Sequence, residues 1–174
     1  MSTKDSHDHL FRYGFSRPDV AREHFEAQLP AAVVAAVDWT GLEPVPGTFI
    51  DPELERTESD ILYRAPLKSG DELLLYVLFE HQRSRDTQMP FRLLQYMVRI
   101  WEAWLRSHGR RRKTTRLPFI VPMVLYNGTQ RWTTSRQFAD LFADGPVFDA
   151  LKRNIPTFQH ELQDLSQTPD EVLH

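Results

Sequence analysis

Apolar and polar positions alternate in blocks along this chain. The clearest block is Leu73-Leu74-Leu75-Tyr76-Val77-Leu78-Phe79, apolar on both strand faces and closed by Glu80-His81-Gln82. A strand of that kind is expected at the centre of a sheet covered on both sides. Strand side chains alternate faces, so Glu80 and Gln82 point one way and His81 the other. A second strand is predicted over residues 60–65, closed by Pro66, with Lys68-Ser69-Gly70-Asp71 as the hairpin turn between the two. Thr48-Phe49-Ile50 reads as a short first strand after a turn-rich stretch marked by Gly41, Pro44, Pro46 and Gly47.

Helical spacing dominates elsewhere. Leu93, Leu94, Met97, Ile100, Trp101 and Trp104 form one apolar face, so residues 86–106 are predicted as the best helix, with Asp86 at its start and Gly109 past its end. Residues 19–29 form another helix, bent or ended by Pro30, and the alanine-rich residues 31–39 a third. Residues 117–126 read as a buried strand, although Pro118 and Pro122 remove donors that a central strand needs. Asn127-Gly128 is a turn signal, and residues 135–142 form a short helix capped by Thr134. The order is helices, three strands, helix, strand, which predicts a mixed α/β domain. Residues 145–174 hold fewer core residues and are read as a peripheral tail.

The chain has 174 residues, enough for one domain with a sizeable core. It has no cysteine, which excludes disulfides, thiolate zinc sites and a cysteine nucleophile. The polar N-terminus has no apolar core, which argues against a secretory signal, and no apolar run predicts a membrane span. Cytoplasm is the default expectation. There is no Gly-rich phosphate loop. The formal net charge is -3, but cations concentrate at Arg99, Arg106, Arg110, Arg111, Arg112, Lys113 and Arg116. Such a cluster suits a phosphate backbone, and equally a solvated loop after a helix.

The candidate chemistry lies at two strand ends. Asp60 heads one strand and Glu80 closes its neighbour. Carboxylates so placed can hold magnesium, which prefers oxygen ligands and can assist phosphodiester hydrolysis. The His81 backbone carbonyl is a third candidate oxygen, and the Gln82 amide can orient water or touch phosphate. Arg92, Gln95 and Arg99 recur at offsets of three and four and can face this site, with Arg92 on a phosphate oxygen and Gln95 near a metal-bound water. Glu26 is a further acidic candidate if its helix folds back over the sheet. The plain alternative is that Asp60 caps a turn and Glu80 pairs with an arginine at a sheet edge.

Several segments together carry a family resemblance: Gly47-Thr48-Phe49-Ile50-Asp51, Ser59-Asp60-Ile61-Leu62-Tyr63, Glu80-His81-Gln82, Met89-Pro90-Phe91-Arg92-Leu93-Leu94-Gln95-Tyr96, Pro122-Met123-Val124-Leu125-Tyr126-Asn127-Gly128 and Asp164-Leu165-Ser166. With these the chain resembles the recombination-promoting nucleases, also called YhgA-like putative transposases, within the PD-(D/E)xK nuclease group. The resemblance implies a restriction-endonuclease-like mixed sheet core flanked by helices over residues 1–174, and magnesium-dependent DNA cleavage, with manganese as a substitute. It matches Asp60 and Glu80 to the acidic metal ligands and Gln82 to the position usually held by lysine. Arg83 replaces a small serine and adds positive charge. Usual members are longer, so much of a C-terminal extension is expected to be absent. DNA is the expected partner, and a homodimer would help a nuclease that cuts two strands.

Overall fold

The structure is a computed structural model that describes residues 14–46, 60–80, 86–108 and 116–166. The predicted strand at Thr48-Phe49-Ile50 lies outside them. Helix α1 spans Pro18–Gln28. Pro18 supplies a preset φ at its first turn, and Asp19 places negative charge where the backbone N–H groups are unpaired. Leu29 leaves helical geometry and Pro30 follows. Helix α2 is Ala31–Ala36, shorter than the alanine-rich segment predicts. Val37 forms a bridge to Leu67 instead. The Asp38 carboxylate accepts from the Thr40 backbone N–H at 3.1 Å, which starts a 3-10 turn over Trp39–Gly41. An aspartate that bonds its own backbone offers the chain an alternative to the helix ladder.

Five strands form one sheet in the order β1-β2-β3-β4-β5. They are β1 (Glu43–Val45), β2 (Asp60–Pro66), β3 (Glu72–Glu80), β4 (Phe119–Tyr126) and β5 (Glu161–Asp164). The first three are antiparallel, and β3–β4 and β4–β5 are parallel. Gly70, at φ +90°, makes the β2–β3 hairpin turn that the sequence predicts. Strand β1 forms inside the stretch read as turns, because Glu43 and Val45 pair with Arg64 and Leu62. Pro122 is tolerated in β4 because β5 pairs only from Met123 onward, so the proline borders an open edge. The segment after Gly145 holds α4 (Pro146–Leu151) and contributes β5 to that edge.

Helix α3 spans Met89–His108 and lies on the crossover that parallel strands require. Its apolar stripe, Leu93, Met97, Ile100 and Trp104, is buried. Strand alternation divides the core in two. Tyr63, Leu75, Val77, Phe79 and Leu125 pack with α1 through Ala21 and Phe25. Leu62, Leu74, Tyr76, Leu78 and Val124 pack with α3 through Leu93 and Ile100. Each fully buried leucine or isoleucine contributes roughly 1.5–3 kcal/mol by leaving water. Residues 138–141 form a 3-10 turn where the sequence predicts a helix over 135–142. The result is a mixed sheet flanked by helices, a restriction-endonuclease-like arrangement.

Candidate metal and nucleic-acid site

Register brings the two predicted carboxylates together. Asp60 stands opposite Leu78, two residues before Glu80, so both acids lie at one end of the sheet. The same parity that buries Leu62, Tyr76 and Leu78 against α3 puts Asp60 and Glu80 on the α3 face. Glu80 is 3% exposed. The parallel neighbours continue this end: Tyr126 stands beside Glu80, and Asp164 beside Tyr126. The Asn127 N–H donates to the Glu80 carbonyl at 3.0 Å, which carries the pairing just past the strand.

Neither acid stands alone. The Tyr76 hydroxyl donates to Asp60 Oδ2 at 2.6 Å. Arg92 Nη2 lies 2.9 Å from Glu80 Oε2, and Arg92 Nη1 donates to Asp86 Oδ2 at 2.9 Å. The other oxygen of Asp86 accepts from the Gln88 N–H at 2.8 Å, so Asp86 holds the turn before α3 as well as the arginine; the helix itself starts at Met89, three residues later than the sequence predicts. Arg92 therefore bridges two carboxylates from the first turn of α3. Burial works against its charge, but Glu80, Tyr96 and Asp86 outweigh that and hold its pKa above the ordinary value. Burial, then the charge of Asp60, pushes the Tyr76 phenol well up, and the same two causes raise Tyr96. The rings of Tyr76 and Tyr96 are 5.5 Å apart, which joins Tyr96 to the site.

The remaining predicted residues are distributed as follows. Gln95 is exposed and Arg99 half-buried on α3. Arg106 and Arg116 are exposed. Glu26 is on α1, which packs against the opposite sheet face, and its carboxylate pairs with Arg22 at 2.9 Å. The fold does not bring Glu26 to Asp60 and Glu80. His81, Gln82, Arg83, Arg110, Arg111, Arg112 and Lys113 lie outside the described residues. Tyr76 and Asp86 are the residues that sequence reasoning missed as parts of the site. The signal for Tyr76 was its even spacing from Glu80 on one strand.

Asp164 has a different task. It accepts from the Trp132 N–H at 2.8 Å and the Ser166 N–H at 3.0 Å, which ties the segment after β4 to the end of β5. Burial pushes its carboxyl up, but those hydrogen bonds and Arg131 win and leave it below the ordinary value.

As a cation site, the end of the sheet offers carboxylate oxygens, the donor chemistry magnesium takes. A cation would have to compete with Arg92 for Glu80. Among the described residues no group of three or more His, Asp or Glu is placed to hold a metal.

Sheet order, the antiparallel-to-parallel switch at β3 and the acids on β2 and β3 are consistent with the PD-(D/E)xK nuclease-like class. The family described as putative transposase, YhgA-like, matches residues 5–174, and the chain belongs to it. It is 31% identical over 174 residues to the recombination-promoting nuclease RpnD of Escherichia coli O157:H7, covering 99% of this chain and 64% of that protein. It is 31% identical over 177 residues to the recombination-promoting nuclease RpnA of Escherichia coli K12, covering 99% of this chain and 57% of that one. The inactive recombination-promoting nuclease-like protein RpnE of the same strain is 29% identical over 173 residues, with 99% and 54% covered. The chain thus spans about half to two thirds of the length of these relatives. No solved structure matches it. Among the described residues no helix is long and apolar enough to cross a membrane.

Proposed function

We propose that the Asp60–Glu80 end of the sheet faces the phosphodiester backbone of DNA, and that this chain is a DNA-binding or regulatory protein on a nuclease fold with weak or no cleavage. The observation that carries this reading is the Asp86–Arg92–Glu80 bridge. With Arg92 in place, the charge of Glu80 is balanced by the protein itself, and a divalent cation meets a competitor already 2.9 Å from its ligand. The relatives' names accord with this reading, since they include both nucleases and an inactive nuclease-like protein. Arg106 and Arg116 are exposed near the α3–β4 connection, at the Glu72 end of β3 rather than the Glu80 end, so they would meet a stretch of backbone beyond the acids. Arg83, Arg99 and residues 110–113 are the further cations of this reading. A cytoplasmic location accompanies this reading.

A second reading is favoured by one observation: Asp60 and Glu80 share one face and one end. On that reading the chain is a magnesium-dependent endodeoxyribonuclease linked to recombination or mobile elements, with manganese as substitute and a second copy addressing the second strand. Asp60, Glu80 and the His81 carbonyl would hold the ion. When bound, magnesium neutralises charge at phosphorus and assists formation of the nucleophile. On this reading Arg92 would turn from Glu80 to a nonbridging phosphate oxygen, Gln82 would orient the attacking water, and Gln95 would hydrogen-bond water near the ion.

Purified full chain with a supercoiled plasmid, in magnesium or EDTA, separates the two. Salt-sensitive binding with no nicking supports the first reading. Metal-dependent nicking that disappears in a folded Asp60→Ala/Glu80→Ala protein overturns it in favour of the second. Absence of DNA binding at low salt sinks both.

A further inference from the structure

We infer that the Tyr76 hydroxyl positions Asp60 for cation binding, making Tyr76 a positioning residue of the site. The inference rests on the second reading above, in which Asp60 and Glu80 are cation ligands, and it concerns a residue outside that ligand set.

The argument begins with the strand. Tyr76 precedes Glu80 by four residues on β3, and both face α3. Tyr76 pairs with Leu62, and Asp60 lies two residues before Leu62 on β2. Tyr76 and Asp60 are therefore diagonal neighbours, a separation that a long aromatic side chain spans. The hydroxyl reaches Asp60 Oδ2 at 2.6 Å. A phenol O–H that donates to a carboxylate makes a charge-assisted bond, roughly twice as strong as a neutral one.

The phenol is also immobile. Tyr76 is 1% exposed, packs with Leu62, Leu74, Leu78 and Met89, and lies 5.5 Å from the ring of Tyr96 on α3. Moving its hydroxyl means opening the core. Asp60 has only two side-chain torsions, so tying one carboxylate oxygen to a fixed point restricts both and sets the plane of the carboxylate. The fixed point is on the strand that carries Glu80. One rigid strand thus holds one candidate ligand directly and orients the other through Tyr76. Residues that hold a ligating group by hydrogen bonding commonly change metal affinity by about 10–100-fold when removed.

Tyr63 provides the internal control. It is equally buried, on the opposite face, and its hydroxyl donates to the Phe15 carbonyl rather than to a carboxylate. Losing that hydroxyl loosens packing without touching Asp60.

The test is Mn2+ binding, followed by paramagnetic resonance of the free ion, on full-length wild type, Tyr76→Phe, Tyr63→Phe and Asp60→Asn, each with a urea unfolding curve. Phenylalanine keeps the ring and its packing. Tyr76→Phe should weaken Mn2+ binding by about 10–100-fold, Asp60→Asn should abolish it, and Tyr63→Phe should leave it unchanged even where its unfolding midpoint falls. Wild-type affinity in Tyr76→Phe, with binding lost in Asp60→Asn, overturns the role of Tyr76 and leaves Asp60 a ligand. Equal weakening in Tyr76→Phe and Tyr63→Phe also overturns it, as general loosening. No Mn2+ binding in wild type, or full binding in Asp60→Asn, overturns the cation reading and the role of Tyr76 together.

Discussion

Strand β3 begins and ends with a glutamate, and both point toward α3. Glu72 accepts from the Trp104 indole N–H at 2.9 Å and lies 3.5 Å from Arg64. Glu80 lies 2.9 Å from Arg92. Each end thus pairs an acid with an arginine, yet the ends differ in what surrounds them. The Glu72 side chain is 18% exposed, and Arg64 is shared with exposed Glu43. The Glu80 side chain is 4% exposed, shares its end with Asp60, and has an arginine anchored by a third carboxylate, Asp86. The first is a surface ion pair at a hairpin. The second concentrates three carboxylates and one arginine at the ends of two strands and a helix. An ion pair marks a candidate site only when the charge around it is more than the pair needs.

Breaking the acids should give the largest contrast. Glu80→Gln should reduce any magnesium-dependent nicking by at least about 100-fold, the scale of losing metal stabilisation of charge. Glu72→Gln should leave nicking intact, and equal loss in both would erase the distinction. Next come the arginines. Arg92→Ala removes the arginine 2.9 Å from buried Glu80, so a loss of about 3 kcal/mol is expected in denaturant unfolding. Arg64→Ala touches a pair exposed on the arginine side by 41% and should cost under about 1 kcal/mol.

Glycine 128 sharpens the picture beside Glu80. The Tyr126 ring occupies the place where a Cβ on Gly128 would stand. Gly128→Ala should therefore cost about 1–3 kcal/mol by overpacking, measurable by thermal melting. An unchanged midpoint would show that Tyr126 can move aside.

His160 lies just before β5, and both ring nitrogens are buried without a hydrogen-bond partner. Burial first, then Arg136, lowers its pKa to about 4 against an ordinary 6.5. The unfolded chain therefore takes up a proton first as pH falls. The neutral imidazole contributes its full stability above about 6.5 and loses it progressively down to about 4. The expected loss is on the order of 3 kcal/mol, and a His160→Phe protein should lack that share of the acid slope. His24, lowered to about 4 by burial, adds a second contribution in the same window.

The smallest effect concerns the surface cations. Replacing Arg106 and Arg116 by alanine should weaken DNA binding and reduce the salt slope by about two. An unchanged slope would return both to ordinary solvated charge.

Much of the core was legible because its signals are local. The unbroken apolar run from Leu73 to Phe79 predicted a central strand, and β3 is buried from Leu73 to Glu80. The stripe from Leu93 to Trp104 predicted the long helix. The predicted hairpin, with Asp60 heading one strand and Glu80 closing the next, put both acids at one end, as the register shows. Strand β1 was not legible, since three residues with a proline acquire strand geometry only through pairing with β2. The reach of Glu26 failed for a related reason: Phe25 and Ala21 direct α1 to the other face, and the sequence does not say which face a helix covers.

The sequence by itself determined β2, β3, β4, the long helix α3, the two-faced core and the acids at the ends of β2 and β3, because periods of 2 and 3.6 and unbroken apolar runs act over a few residues. Only the tertiary structure decided that Glu80 meets Arg92 and Asp86, that Tyr76 holds Asp60, and that Glu72 is an ordinary surface pair. Those partnerships depend on strand register and on where α3 lies across the sheet. Both are set by packing between segments distant in sequence, so identical residue types at the two ends of one strand carry different surroundings.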